Sequence, residues 1–277
     1  MQLIQVEQNT FRLPRRRREA HKGNFGRVFI LAGSVGYTGA PIFAANAAVR
    51  TGSGLVFLGV PKEIWSVVAA KCAEAMPYPL ERDTDAVLKR IDRCDAALVG
   101  PGLGPDAGDL VHSIVPRLAQ PLVLDADGLN ALSGHTQLLD GRTAPTVLTP
   151  HEGEFARLTG CTLPVADRIA GAQEFAEAHN CTVVLKGHRT VTAAPDGRVW
   201  LNTTGNPGMA KGGSGDVLAG MIVSLIGQGF PAPESAAMAV WLHGRAGDLA
   251  AQRFGEYAMT PSDLLDELPR AMMELSE

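Results

Sequence analysis

The sequence predicts an α/β domain in which a central, mostly parallel β-sheet is covered by helices on both faces, which makes three layers. Six short runs rich in aliphatic and β-branched residues are apolar without alternation, the pattern of strands buried on both faces. Segments of roughly 15 to 30 residues separate these runs and have room for crossover helices. The predicted strands are residues 27–32, 55–60, 96–100, 121–125, 146–149 and 182–186.

A hairpin is predicted at one edge of this sheet. Residues 190–194 and 198–201 resemble strands, and they flank a Pro-Asp-Gly sequence at 195–197 that favours a tight turn. We therefore expect an antiparallel hairpin that closes the edge.

The C-terminal part of the chain is predicted to be helical. Beyond Gly213, residues 217–226 are apolar nearly all round, which predicts a buried helix. Two more helices are predicted, at residues 233–254 and 261–275. No linker, repeat or low-complexity stretch interrupts the chain, so we expect a single domain over 1–277, with residues 1–20 as a candidate flexible lead-in.

The composition restricts the function. The 277 residues are 45% hydrophobic, and a net charge of −4 gives no attraction to nucleic acid or anionic membranes, so neither is expected as a partner. The four cysteines include no Cys-x-x-Cys pair, and no leader or membrane-length apolar run occurs. We therefore expect a cytoplasmic protein. The basic run from Arg15 to Arg18 is interpreted as a solvated charge run.

The segment just ahead of the apolar helix is the richest in glycine. Glycines at a helix N-terminus leave backbone N–H groups exposed, and the helix dipole adds positive potential. Gly212, Gly213, Ser214 and Gly215 are therefore a candidate anion hole for a phosphoryl group, followed by Asp216 in the first helical turn. A carboxylate there can deprotonate a hydroxyl that receives the phosphoryl group, so Asp216 is the candidate catalytic base.

Four other loops follow predicted strands, at the edge where parallel sheets bind ligands. The glycine-containing loops 33–39 and 101–104 either approach a ligand or form tight turns. The acids of 125–130 either hold a cation or cap the next helix. Early acids in 149–154 complement a helix dipole without any function, and a lone histidine such as His151 is more often structural than catalytic.

Seven motifs from His21 to about Asp263 are specific in combination. They are residues 21–27, 32–34, 100–104, 125–130, 149–154, 205–210 and 213–216. Together they resemble the nucleotide-dependent NAD(P)H-hydrate dehydratases, a branch of the ribokinase-like superfamily. The resemblance implies a ribokinase-like three-layer α/β/α fold.

The resemblance also implies an activity. Members remove water from the S epimer of hydrated NADH or NADPH (NADHX, NADPHX) at the expense of ADP or ATP, and bacterial members typically use ADP. The implied route is phosphorylation of the ring hydroxyl and elimination of phosphate, with Asp216 as base and Mg²⁺ as cofactor. A homotetramer is implied as well. Since only residues 1–20 precede the match, the epimerase domain found in many relatives is not expected in this chain, and a separate epimerase is the expected pathway partner.

The resemblance assigns residues to two substrates and a metal. It implies that the hydrated dinucleotide is contacted by Ala40, Gly102, Gly104, His151 and Asp216. It implies that ADP or ATP is bound by Lys186, Gly187, His188, Arg189, Thr190 and Gly215. Glu154 is the candidate metal residue, because residues 151–154 correspond to an Asn-x-x-Glu motif of related kinases.

Three rival functions remain open. A small-molecule kinase of the same fold, such as a vitamin-precursor kinase, would leave the phosphate on its product. A silent adenine-nucleotide sensor is disfavoured because Asp216 is present. A dinucleotide-dependent oxidoreductase is disfavoured because the glycines of 33–39 are spaced G-x-x-G-x-x-G. The residues do not decide between ADP and ATP.

Overall fold

The computed structural model describes residues 1–81 and 83–276. Within these ranges ten strands form one sheet, in the order β1-β10-β9-β8-β7-β6-β5-β2-β3-β4. The strands are β1 (Gln2–Gln5), β2 (Arg27–Leu31), β3 (Leu55–Pro61), β4 (Met76–Leu80), β5 (Ala96–Val99), β6 (Leu122–Leu124), β7 (Thr146–Leu148), β8 (Thr182–Leu185), β9 (Val191–Ala193) and β10 (Arg198–Leu201).

The sheet is parallel except at β9, which runs antiparallel to both of its neighbours, β8 and β10. The predicted strands all form, within a residue or two of their expected bounds. Since β2, β5, β6, β7 and β8 run in one direction, their carboxyl ends meet at one edge of the sheet. The loops in which the sequence places the site follow these strands.

Helices cover both faces, which confirms the predicted α/β/α layering. The helices are α1 (Gly39–Arg50), α2 (Lys62–Ala69), α3 (Thr84–Ile91), α4 (Gly108–Ile114), α5 (Asp127–Ala131), α6 (Glu152–Thr159), α7 (Arg168–Ala178), α8 (Ser214–Gly227), α9 (Ala232–Ala258) and α10 (Pro261–Met273). Side chains of β2 alternate between two cores: Val28 and Ile30 pack with α1, α2, α8, α9 and α10, whereas Phe29 and Leu31 pack with α3 to α7.

Helix α8 is the buried helix that the sequence predicts. Every residue from Val217 to Gly227 is buried. A Cβ at Gly220 would collide with the carbonyl oxygen of Ala44 in α1, so the two helices approach with backbone in contact. This packing fixes the axis of α8 and hence the position of its N-terminus.

Both outer strands were absent from the sequence prediction. β4 contains Pro77 and Pro79, which cannot donate to a sheet and are tolerated at an edge. β1 has a glutamine at each end and is mostly exposed, and it pairs in parallel with β10, so the predicted hairpin does not close the edge. The structure also corrects the prediction that residues 1–20 are a flexible lead-in. β1 lies in the sheet, and the backbone N–H of Leu13 donates to the carbonyl of Leu275.

No helix among the described residues has the length and apolar character needed to cross a membrane.

Candidate active site

Helix α8 begins without a side-chain cap. Gly213 is its N-cap residue, with a φ of 102°, and a Cβ there would lie 2.9 Å from the ring of Phe43, so the position favours glycine. Ser214, Gly215 and Asp216 are the first three helical residues. Within the described part of the chain, the N–H groups of Gly215 and Asp216 have no acceptor. Open backbone donors therefore point from the positive end of a helix, as an anion hole requires.

The carboxyl group of Asp216 is poised to titrate near neutrality. Burial raises its pKa to about 7, with further increases from the negative charges of Asp125 and Asp127 and an opposing effect of Lys186. A carboxylate with this pKa is a stronger base than a solvated aspartate and still ionises at physiological pH. The geometry thus fits the predicted catalytic role of Asp216.

Lys186 lies at the centre of a group of acids. Its Nζ is 2.9 Å from Asp125 Oδ1 and 3.8 Å from Glu154 Oε2. Burial alone would lower the pKa of Lys186, but Asp125, Glu154 and, less strongly, Asp216 raise it above its ordinary value. Asp125 is only 2% exposed and also accepts a hydrogen bond from Thr149 Oγ1 at 2.7 Å. Lys186 is therefore a fixed ammonium beside the start of α8.

The loops after β5 and β6 are locked together. A Cβ at Gly100 would collide with the carbonyl oxygen of Asp125, so the two loops touch through backbone. Asp127 Oδ2 accepts a hydrogen bond from Gly104 N at 2.8 Å. Between these acids Ala126 has a φ of 51°, a strained conformation for a residue with a side chain. Strain of this kind accumulates where side chains must be held for function.

The same edge brings three predicted dinucleotide contacts together. A Cβ at Gly102 would lie 3.0 Å from Cβ of Ala40, the second residue of α1, and Ser34 Oγ donates to the Gly102 carbonyl at 2.9 Å. Gly104 follows two residues later, with a φ of 82°. Tyr37 lies beside them and is 59% exposed. Ala40, Gly102 and Gly104 thus lie together at the carboxyl ends of β2 and β5.

His151 is the N-cap of α6. Its Nδ1 accepts hydrogen bonds from Gly153 N at 3.0 Å and Glu154 N at 3.3 Å, while Glu154 Oε2 accepts one from His151 N at 2.8 Å. This reciprocal pair is a capping box. The His151 side chain is 54% exposed although its Nε2 lies 3.5 Å from Glu154 Oε1, so part of the ring remains accessible to a ligand.

The predicted nucleotide loop forms a tight turn next to α8. Thr190 Oγ1 donates to the Gly187 carbonyl at 3.0 Å, and Arg189 has a left-handed φ of 54°. A Cβ at Gly215 would lie 3.4 Å from Lys186 Nζ, so the loop and the helix start adjoin. The structure therefore brings the residues assigned to ADP or ATP beside Asp216.

Residues of α9 that the sequence analysis missed support the glycine-rich segment. Asp248 accepts hydrogen bonds from Gly205 N at 3.0 Å and Asn206 Nδ2 at 3.1 Å. His243 bonds to the Ser214 backbone, and burial lowers its pKa to about 4. One signal for this contact was available: glycines 244 and 247 lie within a helix, where they cost stability unless another backbone packs closely.

The site could hold a metal ion only through oxygen donors. Asp125, Asp127, Glu154 and Asp216 are carboxylates, the donor type that Mg²⁺ prefers. Among the described residues, no group of three or more histidine, cysteine or acidic side chains is close enough to bind a metal unaided. Mg²⁺ usually binds through one or two carboxylates together with substrate phosphates, so this donor set fits a nucleotide-bound ion.

A large cavity lies away from this site. It measures about 890 Å³ and is lined by Arg15, Arg16, Arg17 and the C-terminal ends of α1 and α8. Helix α8 is 14 residues long, so this cavity is roughly 20 Å from Asp216. The arginine run, interpreted as solvated, therefore takes no part in the candidate site.

Comparison with known sequences gives one consistent family. A family model described as NAD(P)H-hydrate dehydratase matches residues 28–270. The bifunctional NAD(P)H-hydrate repair enzyme Nnr of Moorella thermoacetica is 46% identical over 278 residues, which is 96% of this chain and 52% of that protein. This chain thus spans about half the length of several curated relatives. The ADP-dependent (S)-NAD(P)H-hydrate dehydratase of Neisseria meningitidis serogroup B is 39% identical, over 91% of this chain and 87% of that protein.

Solved structures agree. An ADP/ATP-dependent NAD(P)H-hydrate dehydratase from Bacillus subtilis, co-crystallised with ATP and Mg²⁺, has a TM-score of 0.85 and 33% identity, covering 95% of both chains. A ribokinase-like superfamily protein from Enterococcus faecalis V583 has a TM-score of 0.88 and 30% identity, covering 99% of this chain and 96% of that one. These matches confirm the ribokinase-like fold that the motifs predict.

Proposed function

Since the chain belongs to the NAD(P)H-hydrate dehydratase family, we propose that it dehydrates the S epimer of NADHX and NADPHX and thereby regenerates NADH and NADPH. In this reaction it consumes ADP or ATP, and ADP is our choice because the named Neisseria relative is ADP-dependent. One observation carries the proposal: a partly buried carboxylate with a pKa of about 7 lies at an uncapped helix N-terminus. That pairing is suited to phosphoryl transfer to a hydroxyl.

The two substrates occupy adjoining surfaces. The hydrated dinucleotide lies against Ala40, Gly102, Gly104 and His151, and the phosphoryl donor lies on residues 186–190 and Gly215. This arrangement is supported by the contact between Gly215 and Lys186, which joins the two surfaces at Asp216.

The first chemical step is a phosphoryl transfer. Asp216 takes the proton of the ring hydroxyl, whose oxygen forms a bond to the terminal phosphorus of ADP while AMP leaves. The open N–H groups of Gly215 and Asp216 and the ammonium of Lys186 stabilise the charge on the transferring group. The second step breaks the carbon–oxygen bond while the adjacent ring carbon loses a proton to solvent, so phosphate leaves and the ring double bond of the dihydronicotinamide is restored. Overall the enzyme is a hydro-lyase driven by hydrolysis of a phosphoanhydride.

Magnesium is proposed as the cofactor, and Glu154 is the candidate residue for binding it. When bound, the ion supplies positive charge to the nucleotide phosphates. Glu154 is buried, its Oε2 accepts a hydrogen bond from His151 N, and its Oε1 lies 3.5 Å from His151 Nε2.

The biological setting is proposed from the family alone. We propose a cytoplasmic homotetramer that acts on one epimer and relies on a separate epimerase, or on spontaneous epimerisation, for the other. Sedimentation of the purified chain measures the oligomeric state, and a stable monomer would contradict this part of the proposal.

Absorbance at 340 nm tests the activity directly. Purified protein is mixed with NADHX, Mg²⁺ and either ADP, ATP or no nucleotide. A nucleotide-dependent rise is expected, with AMP and phosphate appearing in equal amounts when ADP is used. Folded protein that shows no rise with either nucleotide would overturn the proposal and favour a kinase of the same fold acting on another alcohol.

A further inference from the structure

The side chain of Arg168, which no sequence motif indicates, forms hydrogen bonds with the backbone of the proposed nucleotide loop. Arg168 is the first residue of α7. Its Nη1 donates to the carbonyl of His188 at 2.7 Å, and its Nη2 donates to the carbonyl of Leu185 at 2.9 Å. These two carbonyls lie on opposite sides of Lys186 and Gly187, so one guanidinium holds both ends of the turn.

The guanidinium also packs directly on the backbone of the turn. A Cβ at Gly187, where φ is 153°, would lie 2.8 Å from Arg168 Nη2. Residue 187 therefore has to be small for the clamp to close. A lysine at 168 would offer one point charge in place of a planar fork and could not hold both carbonyls in this geometry.

A third contact ties the clamp to the neighbouring helix. Arg168 Nε is 3.2 Å from Oε1 of Glu152, the first residue of α6 and the neighbour of His151. Burial lowers the pKa of Arg168 and Glu152 opposes this effect, so the guanidinium stays charged at neutral pH. One side chain thus bridges the start of α6 and the loop that carries Lys186.

We propose that Arg168 is a positioning residue that sets the nucleotide loop for ADP or ATP and couples it, through Glu152, to the His151 side of the site. This inference rests on the proposed function, which assigns the nucleotide to residues 186–190. We assign Arg168 no contact with either substrate, because its guanidinium is engaged by the Leu185 and His188 carbonyls and by Glu152. It acts by holding the Leu185 and His188 peptides, so its loss should weaken nucleotide binding far more than the chemical step.

Arg142 provides a matched control. It is a buried arginine that also donates to backbone carbonyls, those of Val115, Leu118 and Gln120. These carbonyls precede β6, at the amino ends of the strands and away from the site. R142K should lose fold stability as R168K does, without affecting the nucleotide loop.

The test measures ADP binding by calorimetry with the wild type, R168K and R142K. We expect ADP to bind R168K at least tenfold more weakly, and R142K within twofold of the wild type. In turnover, R168K should raise the KM for ADP by a similar factor, with kcat changed less than threefold. Equal weakening of ADP binding in R168K and R142K, or no weakening in either, would overturn the proposal.

Amide hydrogen exchange separates this inference from the proposed function. Without any ligand, R168K should exchange the amides of Lys186 and Gly187, which donate to the Pro150 carbonyl and to Thr190 Oγ1, at least tenfold faster than the wild type, while R142K leaves them unchanged. If the wild type binds neither ADP nor ATP, the proposed function fails, and the exchange data still decide whether Arg168 holds the loop. Unchanged exchange in R168K would refute the clamp itself.

Discussion

Helices α6 and α8 have similar residues in their first turns, but a side chain caps the N-terminus of α6 and none caps that of α8. Each has glycine at its second position and an acid at its third: Gly153 and Glu154 in α6, Gly215 and Asp216 in α8. In α6 the His151 ring accepts both early N–H groups, and Glu154 returns a bond to His151 N. In α8 no side chain caps the helix.

The cap therefore separates a structural acid, Glu154, from Asp216, the acid to which we assign the chemistry. Glu154 completes a capping box and lies 3.8 Å from Lys186 Nζ, so its negative charge already has partners within the fold. Asp216 has no such box and lies among other acids, and burial raises its pKa to about 7. Open N–H groups beside a carboxylate that titrates near neutrality are what distinguish a reactive helix start from an ordinary one.

The largest expected effect is on kcat, when the acid at the third position of each helix is replaced. Asp216→Asn should lower kcat by about 10³-fold, because the general base is lost while the amide keeps the shape of the side chain. Glu154→Gln should lower it less than about tenfold, since the amide still accepts the His151 bond. The 340 nm assay measures both. A loss in E154Q that excess Mg²⁺ restores would support the metal role of Glu154, and an active D216N would remove the base from the mechanism.

The next largest difference is expected at the second position of each helix, which is glycine in both. Gly215→Ala places a methyl group 3.4 Å from Lys186 Nζ, beside the open N–H groups, and should lower turnover by about 10²-fold while keeping thermal stability. Gly153→Ala places a Cβ 2.9 Å from Cε1 of the capping His151 ring, so it should mainly lower stability. Melting temperature and kcat together decide this, and equal losses of turnover in the two variants would contradict the comparison.

The pH dependence should follow Asp216 alone. Since the base acts ionised and its pKa is about 7, kcat/KM should rise tenfold per pH unit below about 7 and level off above it. E154Q should keep this inflection. A profile flat from pH 5 to 8 would show that Asp216 is not the titrating base.

The same pKa has a consequence for stability. The folded-state pKa of Asp216 lies above its ordinary value of 3.8, so the fold favours the protonated form. Asp216 therefore costs stability increasingly as pH rises from about 4 to 7. Removing the charge in D216N should raise the melting temperature at pH 8 by about 5 °C, and this gain should shrink towards zero near pH 4. An increase that does not vary with pH would contradict the shifted pKa.

What the sequence predicts well follows from local rules. Buried parallel strands are continuous apolar runs, and the glycine-rich segment before Asp216 does not fit helix or sheet propensity, so both could be predicted. The edge strand β4 was missed because Pro77 and Pro79 argue against a strand unless its edge position is known. Arg168 could not be found, because the carbonyls it binds are 17 and 20 residues away and carbonyls carry no sequence signal.

The smallest expected effect is at the cap itself. His151→Ala leaves the N–H groups of Gly153 and Glu154 without their acceptor and should lower the free energy of unfolding by about 1 kcal/mol. Asp83→Ala, which removes the cap of α3 away from the site, is the matched control and should cost a similar amount with unchanged turnover.

His151→Asn separates capping from substrate contact, because asparagine is among the best N-cap residues. H151N should retain the stability of the wild type in urea unfolding. If the exposed face of the His151 ring also contacts the hydrated dinucleotide, H151N should raise the KM for NADHX severalfold with the KM for ADP unchanged. If H151N has the stability and the KM values of the wild type, His151 acts only as a cap. The uncapped start of α8 would then be the one difference between the two helices that affects the chemistry.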